Sequence, residues 1–450
     1  MNVLLIALDT LRADHLGCYG YAPATSPALD RFAAGAVRFA NCLAPAIPTQ
    51  PGYTTVFTGQ HSITHGIVTH GGTRELSPSA PWLPEMLLDA GYTTCAVDDL
   101  ATCHEKRWFL RGYEFYIDPS VRRRHTQGVE CAEINSRAIP WLRAHAGEKF
   151  FMFVHYWDPH TPYLPPERYR GLFYQGDPCD PARRGLLQEF YGRNLHATKW
   201  RETWIRQLAP PGREIADIHY LVAMYDSEIR YLDDGIAELL AALEEAGVAD
   251  ETLVVFFADH GEEMYEHDTF FDHHGLYQGN LHVPFLVRWP GKGLRGRVVP
   301  HLVQHVDLAP TILEIAGLEI PPGMEGTSLV PYLDGSRDAP VCDTLVTQEC
   351  TYQKKWAILR GGHKLIVSRE PGRDIHGKPP RELYDLQTDP GETTNLAESA
   401  PERVRELEAR LQDWIAGKIA EHGLPGDPLL EQEITIGKNF HRWLDEHGYW

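Results

Sequence analysis

What most constrains this chain is a series of short apolar runs, several of which end in residues able to bind a metal or move a proton. Residues 2–8, 93–97, 149–155, 252–258 and 283–289 read as buried strands, being too short for helices. The first runs into Asp9-Thr10, the third into His155-Tyr156-Trp157-Asp158-Pro159-His160, and the fourth into Asp259-His260-Gly261-Glu262-Glu263. Helical patterns lie between them. From 220 to 246 the apolar residues Tyr225, Ile229, Leu232, Ile236, Leu239 and Leu243 step by three and four. Ser26-Pro27 reads as a cap and first-turn proline before Leu29, Phe32 and Ala33. Alternation of this kind predicts an α/β fold with a large, mostly parallel sheet flanked by helices.

In such a sheet the ligand sits beyond the carboxyl ends of the strands. One aspartate there is as readily a helix cap as a ligand. Three strand ends that deliver carboxylate or imidazole to one edge are not explained by capping. Aspartate oxygens with an imidazole suit a divalent ion such as Mn, Zn, Ca or Mg. A second histidine-rich segment, His267-Asp268-Thr269-Phe270-Phe271-Asp272-His273-His274-Gly275, follows the Asp259 strand closely enough to share its site. The stretch 160–215, rich in Pro, Arg, Tyr and Gly, is too long for an ordinary loop and suits a cover over that site or, equally, an irregular surface segment.

The last quarter has a different grain. Residues 343–349, 355–360 and 363–368 are short β-like runs, with Gly361-Gly362 a hairpin signal. Ser399 and Glu402 are spaced as a capping box ahead of Val404, Leu407, Leu411 and Trp414. A small antiparallel sheet closed by one helix is expected. The division is then a catalytic domain over 1–335, a small α+β subdomain over 336–425, and a tail over 426–450. The aromatic end of that tail suits packing against a neighbouring subunit, as in a homo-oligomer.

Composition excludes several classes. With 62 acidic against 42 basic residues, the net charge of −20 disfavours nucleic acid and anionic membranes as partners. No apolar run approaches the roughly 20 residues needed to span a bilayer. Met1 leads straight into a strand-like run with no basic region before it, so no signal peptide and a cytoplasmic location are expected. The eight cysteines form no CxxC pair and are expected to be reduced and mostly buried.

The segment Asn2 to Asp9, followed by Thr10-Leu11-Arg12-Ala13-Asp14-His15-Leu16-Gly17-Cys18-Tyr19-Gly20, resembles the opening of sulfatases of the alkaline phosphatase superfamily. Further matches are Thr25-Ser26-Pro27-Ala28-Leu29-Asp30, Thr58-Gly59, Asp158-Pro159-His160-Thr161-Pro162-Tyr163, Asp259-His260-Gly261-Glu262 and Val283-Pro284-Phe285. They continue through His305-Val306-Asp307-Leu308-Ala309-Pro310-Thr311 and Glu382-Leu383-Tyr384-Asp385-Leu386 to Asn395-Leu396. The resemblance covers nearly residues 1–420 in order. It implies a large α/β domain, a small C-terminal domain, and hydrolysis of sulfate or phosphate esters at a bound metal.

The pattern departs from the family at the reacting residue. Sulfatases carry Cys or Ser in C/S-x-P-S-R and oxidise it to formylglycine, whereas this chain reads Thr49-Gln50-Pro51-Gly52-Tyr53. A threonine cannot yield that aldehyde, and superfamily relatives that act on phosphodiesters and phospholipid headgroups use an unmodified threonine. Thr10 replaces the second Asp of the usual pair, and Asp259-His260 stands where many sulfatases have Asp-Asn. The usual Gly-Lys-Trp-His segment is missing, with Val97-Asp98-Asp99-Leu100 in its region.

The resemblance therefore implies one divalent metal (Mn, Zn or Ca) held by Asp9, Thr49, Asp259 and His260, with Thr49 the nucleophile. His160 and one of His273 or His274 are expected to stabilise charge or protonate the leaving group; His273 stands where sulfatases have a substrate-contacting lysine. His155, Asp158, His160, His273 and His274 leave room for a second metal. The expected substrate is a small phosphate, phosphonate or sulfate ester. The alternatives are a true sulfuric ester hydrolase, a soluble phosphotransferase, and a non-catalytic anion-binding homologue.

Overall fold

The computed structural model describes residues 1–120, 129–370 and 374–434. The aromatic end of the chain, from 435 onward, lies outside the described residues. The strands are β1 (Asn2–Leu8), β2 (Val37–Leu43), β3 (Ala46–Ile47), β4 (Thr93–Val97), β5 (Phe115–Ile117), β6 (Phe150–Tyr156) and β7 (Thr252–Phe257). There follow β8 (His282–Val283), β9 (Phe285–Arg288), β10 (Arg297–Gln304), β11 (Thr344–Cys350), β12 (Lys354–Arg360), β13 (His363–Ser368) and β14 (Arg381–Asp385).

The large sheet runs β10-β2-β9-β7-β1-β6-β4-β5, with β8 also paired to β2. It is parallel except where β8 and β9 enter against their neighbours. Every residue of β1, β6 and β7 is buried, as expected of central strands covered on both faces. The long apolar stripe lies on the helix Ile218–Glu245, which packs against the helices Pro27–Ala34 and Cys131–His145. β2 and β10 were not anticipated. Both are half-exposed along part of their length, so their mixed pattern resembles loop sequence.

Two expected caps are not formed. Ser26 does not cap the helix it precedes; its hydroxyl accepts from the Gly17 N–H instead. The N–H groups of Ala28 and Leu29 are held by the two oxygens of Asp233, each at 2.8 Å, from the middle of the helix Ile218–Glu245. Likewise Ser399 donates to the Leu396 carbonyl, and the helix Pro401–His422 starts without a side-chain cap. In the first case a tertiary contact displaced the local motif, and in the second a hydrogen bond three residues back did.

The small sheet runs β14-β13-β12-β11-β3 and is antiparallel apart from the β11–β3 pair. Gly361 and Gly362, at φ +59° and +79°, make the hairpin between β12 and β13 in a backbone conformation that favours glycine. The helix Pro401–His422 closes one face through Val404, Leu407, Leu411 and Ile415. None of the eight cysteines is in a disulfide. Among the described residues no helix is long and apolar enough to cross a membrane.

Candidate active site

Because β7, β1 and β6 are adjacent and parallel, their carboxyl ends open at the same place. Asp9 follows β1, Asp259 and His260 follow β7, and His155 lies in the last turn of pleat of β6. The fourth contributor is the helix Thr49–Thr58, which begins directly after β3. Thr49 therefore sits on the first turn, where free N–H groups and the helix dipole favour an approaching anion. The packing is close enough that a Cβ on Gly52 would stand 3.7 Å from that of Asp259.

Thr49, Asp9, Asp259 and His260 are all buried, and donors of the last three lie within 4.8 Å of one another. His260 Nε2 stands 3.1 Å from Thr49 Oγ1 and 3.3 Å from Asp259 Oδ2. Its Nδ1 is 3.0 Å from the Gly261 carbonyl, which can only accept, so Nδ1 carries a proton and Nε2 is the nitrogen turned to the site. Thr10 adopts φ +54°, a left-handed conformation costly for a β-branched residue, and its N–H points toward Asp259 Oδ1 at 3.4 Å.

Electrostatically the set is incomplete without a cation. Asp9 Oδ1 and Asp259 Oδ2 are buried and accept no hydrogen bond. Burial and the neighbouring Asp9 push the Asp259 carboxyl up to about 6. Burial also acts against Asp9, yet the hydrogen bond from His155, with His160 and His260 nearby, holds it at about 2. A dication between the two carboxylates would supply what each oxygen lacks, and the spacings of the donors suit it. Asp9, Asp259, His260 and Thr49 therefore fit a divalent metal.

The surrounding imidazoles divide into different roles. His155 Nε2 is 3.1 Å from Asp9 Oδ2 and Nδ1 is 2.8 Å from Asp98 Oδ1. Although burial opposes it, the hydrogen bonds to Asp9 and Asp98 raise His155 to about 10. It bridges Asp9 and Asp98, with both ring nitrogens taken up by carboxylates. Asp158 faces elsewhere too, accepting from the Cys131 N–H at 2.8 Å at the start of the helix Cys131–His145. The second-metal set drawn from His155, Asp158, His160, His273 and His274 is thus not assembled.

His160 and His273 do meet, with ring centres 5.0 Å apart, and His273 stacks on His260 at 4.8 Å. His160 donates from Nδ1 to the Thr161 carbonyl at 2.6 Å, and burial lowers its pKa. Burial opposes charge on His273 as well, but Glu262, Asp272 and Asp9 outweigh it and raise the pKa to about 9. Glu262 is itself fully buried, with Oε1 3.8 Å from His273 Nδ1. His274, the other candidate, turns away: Nε2 meets His376 and Nδ1 faces Asp272.

A cleft of about 940 Å³ opens over Thr49, His160 and His273. Its far wall is the 160–215 segment, through Lys199, Trp200, Thr203 and Trp204 on the helix Leu195–Trp200 and the π-helical turn Arg201–Ile205. The anticipated cover is therefore real. His70 and His104 also line the cleft, stacked at 4.4 Å. Neither sits at a strand end, so nothing in the local pattern marked them.

An open parallel sheet with a hydroxyl on a helix N-terminus beside two unsatisfied carboxylates and an imidazole defines a hydrolase that works on an anionic ester. The chain belongs to the sulfatase family, whose model matches residues 1–318; a model described as N-sulphoglucosamine sulphohydrolase, C-terminal, matches 265–420. It is 24% identical over 469 aligned residues to an N-acetylglucosamine-6-O-sulfatase of Bacteroides thetaiotaomicron, covering 88% of this chain and 82% of that one. Among solved structures it superimposes on a protein complexed with its substrate D-glucosamine-2-N,6-O-disulfate, with a TM-score of 0.75, 20% identity, and 95% and 99% of the two chains covered. It also superimposes on the phosphonate monoester hydrolase of Agrobacterium radiobacter, with a TM-score of 0.72, 21% identity, and 94% and 96% covered. These solved structures share its large sheet, flanking helices and small C-terminal sheet.

Proposed function

We propose that this hydrolase cleaves phosphate or phosphonate esters through an unmodified Thr49. The observation that carries the reading is the buried Thr49 hydroxyl, 3.1 Å from His260 Nε2 within the Asp9–Asp259 donor set. A divalent cation held by Asp9, Asp259, His260 and the threonine oxygen would lower the alcohol's pKa and offset charge on the transferring group. Thr49 Oγ, its acidified proton given up to solvent, forms a bond to phosphorus as the bond to the leaving-group oxygen breaks, and it leaves again as the alkoxide in the second step. His273, protonated at neutral pH, gives its proton to that oxygen. His160 is neutral, and its Nε2 accepts the proton of the water that attacks phosphorus and releases Thr49. Two imidazoles whose environments drive their pKa values apart are suited to acid and base in turn.

Formylglycine is a gem-diol, so a sulfated intermediate can collapse by expelling sulfate without attack at sulfur. A threonyl ester has no second hydroxyl and requires attack at the central atom, which phosphoenzymes undergo readily. The relatives named as sulfatases favour a second reading, sulfate ester hydrolysis on the same scaffold. Peptide mass spectrometry across residue 49, with paired rates on aryl phosphate, phosphonate and sulfate esters, separates the two. An unmodified threonine and faster phosphorus-ester turnover, abolished in Thr49→Ala, are expected. Faster sulfate turnover that survives Thr49→Ala overturns both the nucleophile and the substrate class.

A further inference from the structure

His196, Asp272 and His274 form a second cluster, buried and with one donor from each within 4.8 Å of the others. It shares no residue with the Asp9–Asp259–His260 set. Asp272 Oδ2 is 3.2 Å from His196 Nε2, and Asp272 Oδ1 is 3.5 Å from His274 Nδ1. Around an ion with bonds of about 2.0–2.1 Å, tetrahedral ligands stand about 3.3–3.4 Å apart, and these separations, one to each oxygen of Asp272, lie close to that spacing.

His274 is oriented as a metal-bound imidazole needs to be. Its Nε2 lies 2.5 Å from His376 Nε2, with the two rings within 6° of coplanar. Facing nitrogens so close share one proton. With that proton on His274, its Nδ1 becomes a lone pair, and this buried Nδ1 faces the Asp272 carboxylate at 3.5 Å. A partner behind the ligating ring, which fixes its tautomer and its aim, is the recurrent support for a histidine ligand. Tyr352 encloses the cluster, its ring centre 5.1 Å from His196 and 5.0 Å from His274.

We infer that His196 Nε2, the Asp272 carboxylate and His274 Nδ1 hold a second divalent ion of the zinc type, with His376 supporting His274 from behind. Two imidazoles and one carboxylate match the preferences of zinc over calcium or magnesium, which seek oxygen. The fourth corner is left for water or for an anion in the cleft, which Asp272 and Tyr352 also line. His196 comes from the segment that carries Lys199 and Trp200, and His274 adjoins His273. The ion would therefore tie the far wall of the cleft to the loop that bears the proposed acid.

The test is zinc content after equilibrium dialysis against Zn(II), for the wild type, Asp259→Asn, His196→Ala and the double variant. About two ions per chain are expected in the wild type, about one in each single variant, and none in the double. Cobalt(II) added to Asp259→Asn should give the visible absorption of a tetrahedral site, lost in the double variant. His274→Asn repeats the comparison from another ligand, should His196→Ala unfold. Equal zinc in the wild type and in folded His196→Ala or His274→Asn overturns the inference, and leaves Asp272 a plain hydrogen-bond acceptor. Equal zinc in the wild type and Asp259→Asn instead overturns only the catalytic metal.

Discussion

Replacing Glu262 by Gln should shift the pH dependence of catalysis without touching a reacting atom. Glu262 lies 3.8 Å from His273 Nδ1, and it is the foremost of the groups raising His273 against burial, to about 9. At an effective dielectric of about 20, a unit charge pair at that distance interacts by about 4 kcal/mol, or about three pKa units. Asp272, Asp9 and burial are unchanged, and the amide oxygen can still accept from the ring N–H, so the fall is smaller than the full charge term, about two units, to near 7. A cation on Asp9 would cancel that residue's share in both proteins alike and leave the difference intact. The alkaline limb of kcat/KM, which reports loss of the His273 proton, should move down by about two pH units. Stability shifts with it. A raised histidine pKa adds stability that is complete below the unfolded value of about 6.5 and is lost as pH rises through 9. Glu262→Gln should remove that increment, so its deficit in urea unfolding should be larger at pH 6 than at pH 10. Histidine Cε1–H titration by NMR gives the pKa directly. A limb and a resonance that move by less than about half a unit refute the pairing.

His160→Ala should keep its metal and lower turnover by about a hundredfold or more, read as kcat beside metal content; unchanged kcat would leave His160 a structural residue. Asp9→Asn and Asp259→Asn should each lose the catalytic ion while keeping a native near-ultraviolet circular dichroism spectrum, since the amide preserves shape and deletes ligand charge. A wild-type zinc content in both would sink the ligand assignment. Asp233→Asn keeps one acceptor for the Ala28 and Leu29 N–H groups where the carboxylate offers two, so a loss of about 1–2 kcal/mol in urea unfolding is expected.

The central strands were legible because β1, β6 and β7 are buried on both faces and so are apolar throughout. Their terminal residues were legible for the same reason: Asp9 and Asp259 interrupt an apolar run where no packing role calls for charge. Side-chain direction was not. His273 and His274 are adjacent and identical in composition, and only the tertiary fold sends one toward His260 and the other toward Asp272 and His376. His155 and Asp158 looked like ligands because they share a segment with His160. One is held between two carboxylates and the other caps a helix, and both partners lie far away in sequence.

The expected division of the chain near residue 335 obscured one structural dependence. β3, only two residues long, pairs in parallel with β11 through Ala46–Gln348 and Ile47–Glu349. Gln348 further donates toward the Ile47 and Val68 carbonyls, and the Thr347 hydroxyl donates to the Ala44 carbonyl at 2.9 Å. Pro48 and Thr49 follow at once. A nucleophile must be held within a fraction of an ångström of its donors, and a two-residue strand cannot do that alone. The small sheet is therefore part of the scaffold for Thr49. This accounts for a C-terminal sheet in an enzyme whose proposed reacting groups, among the described residues, all precede it in sequence.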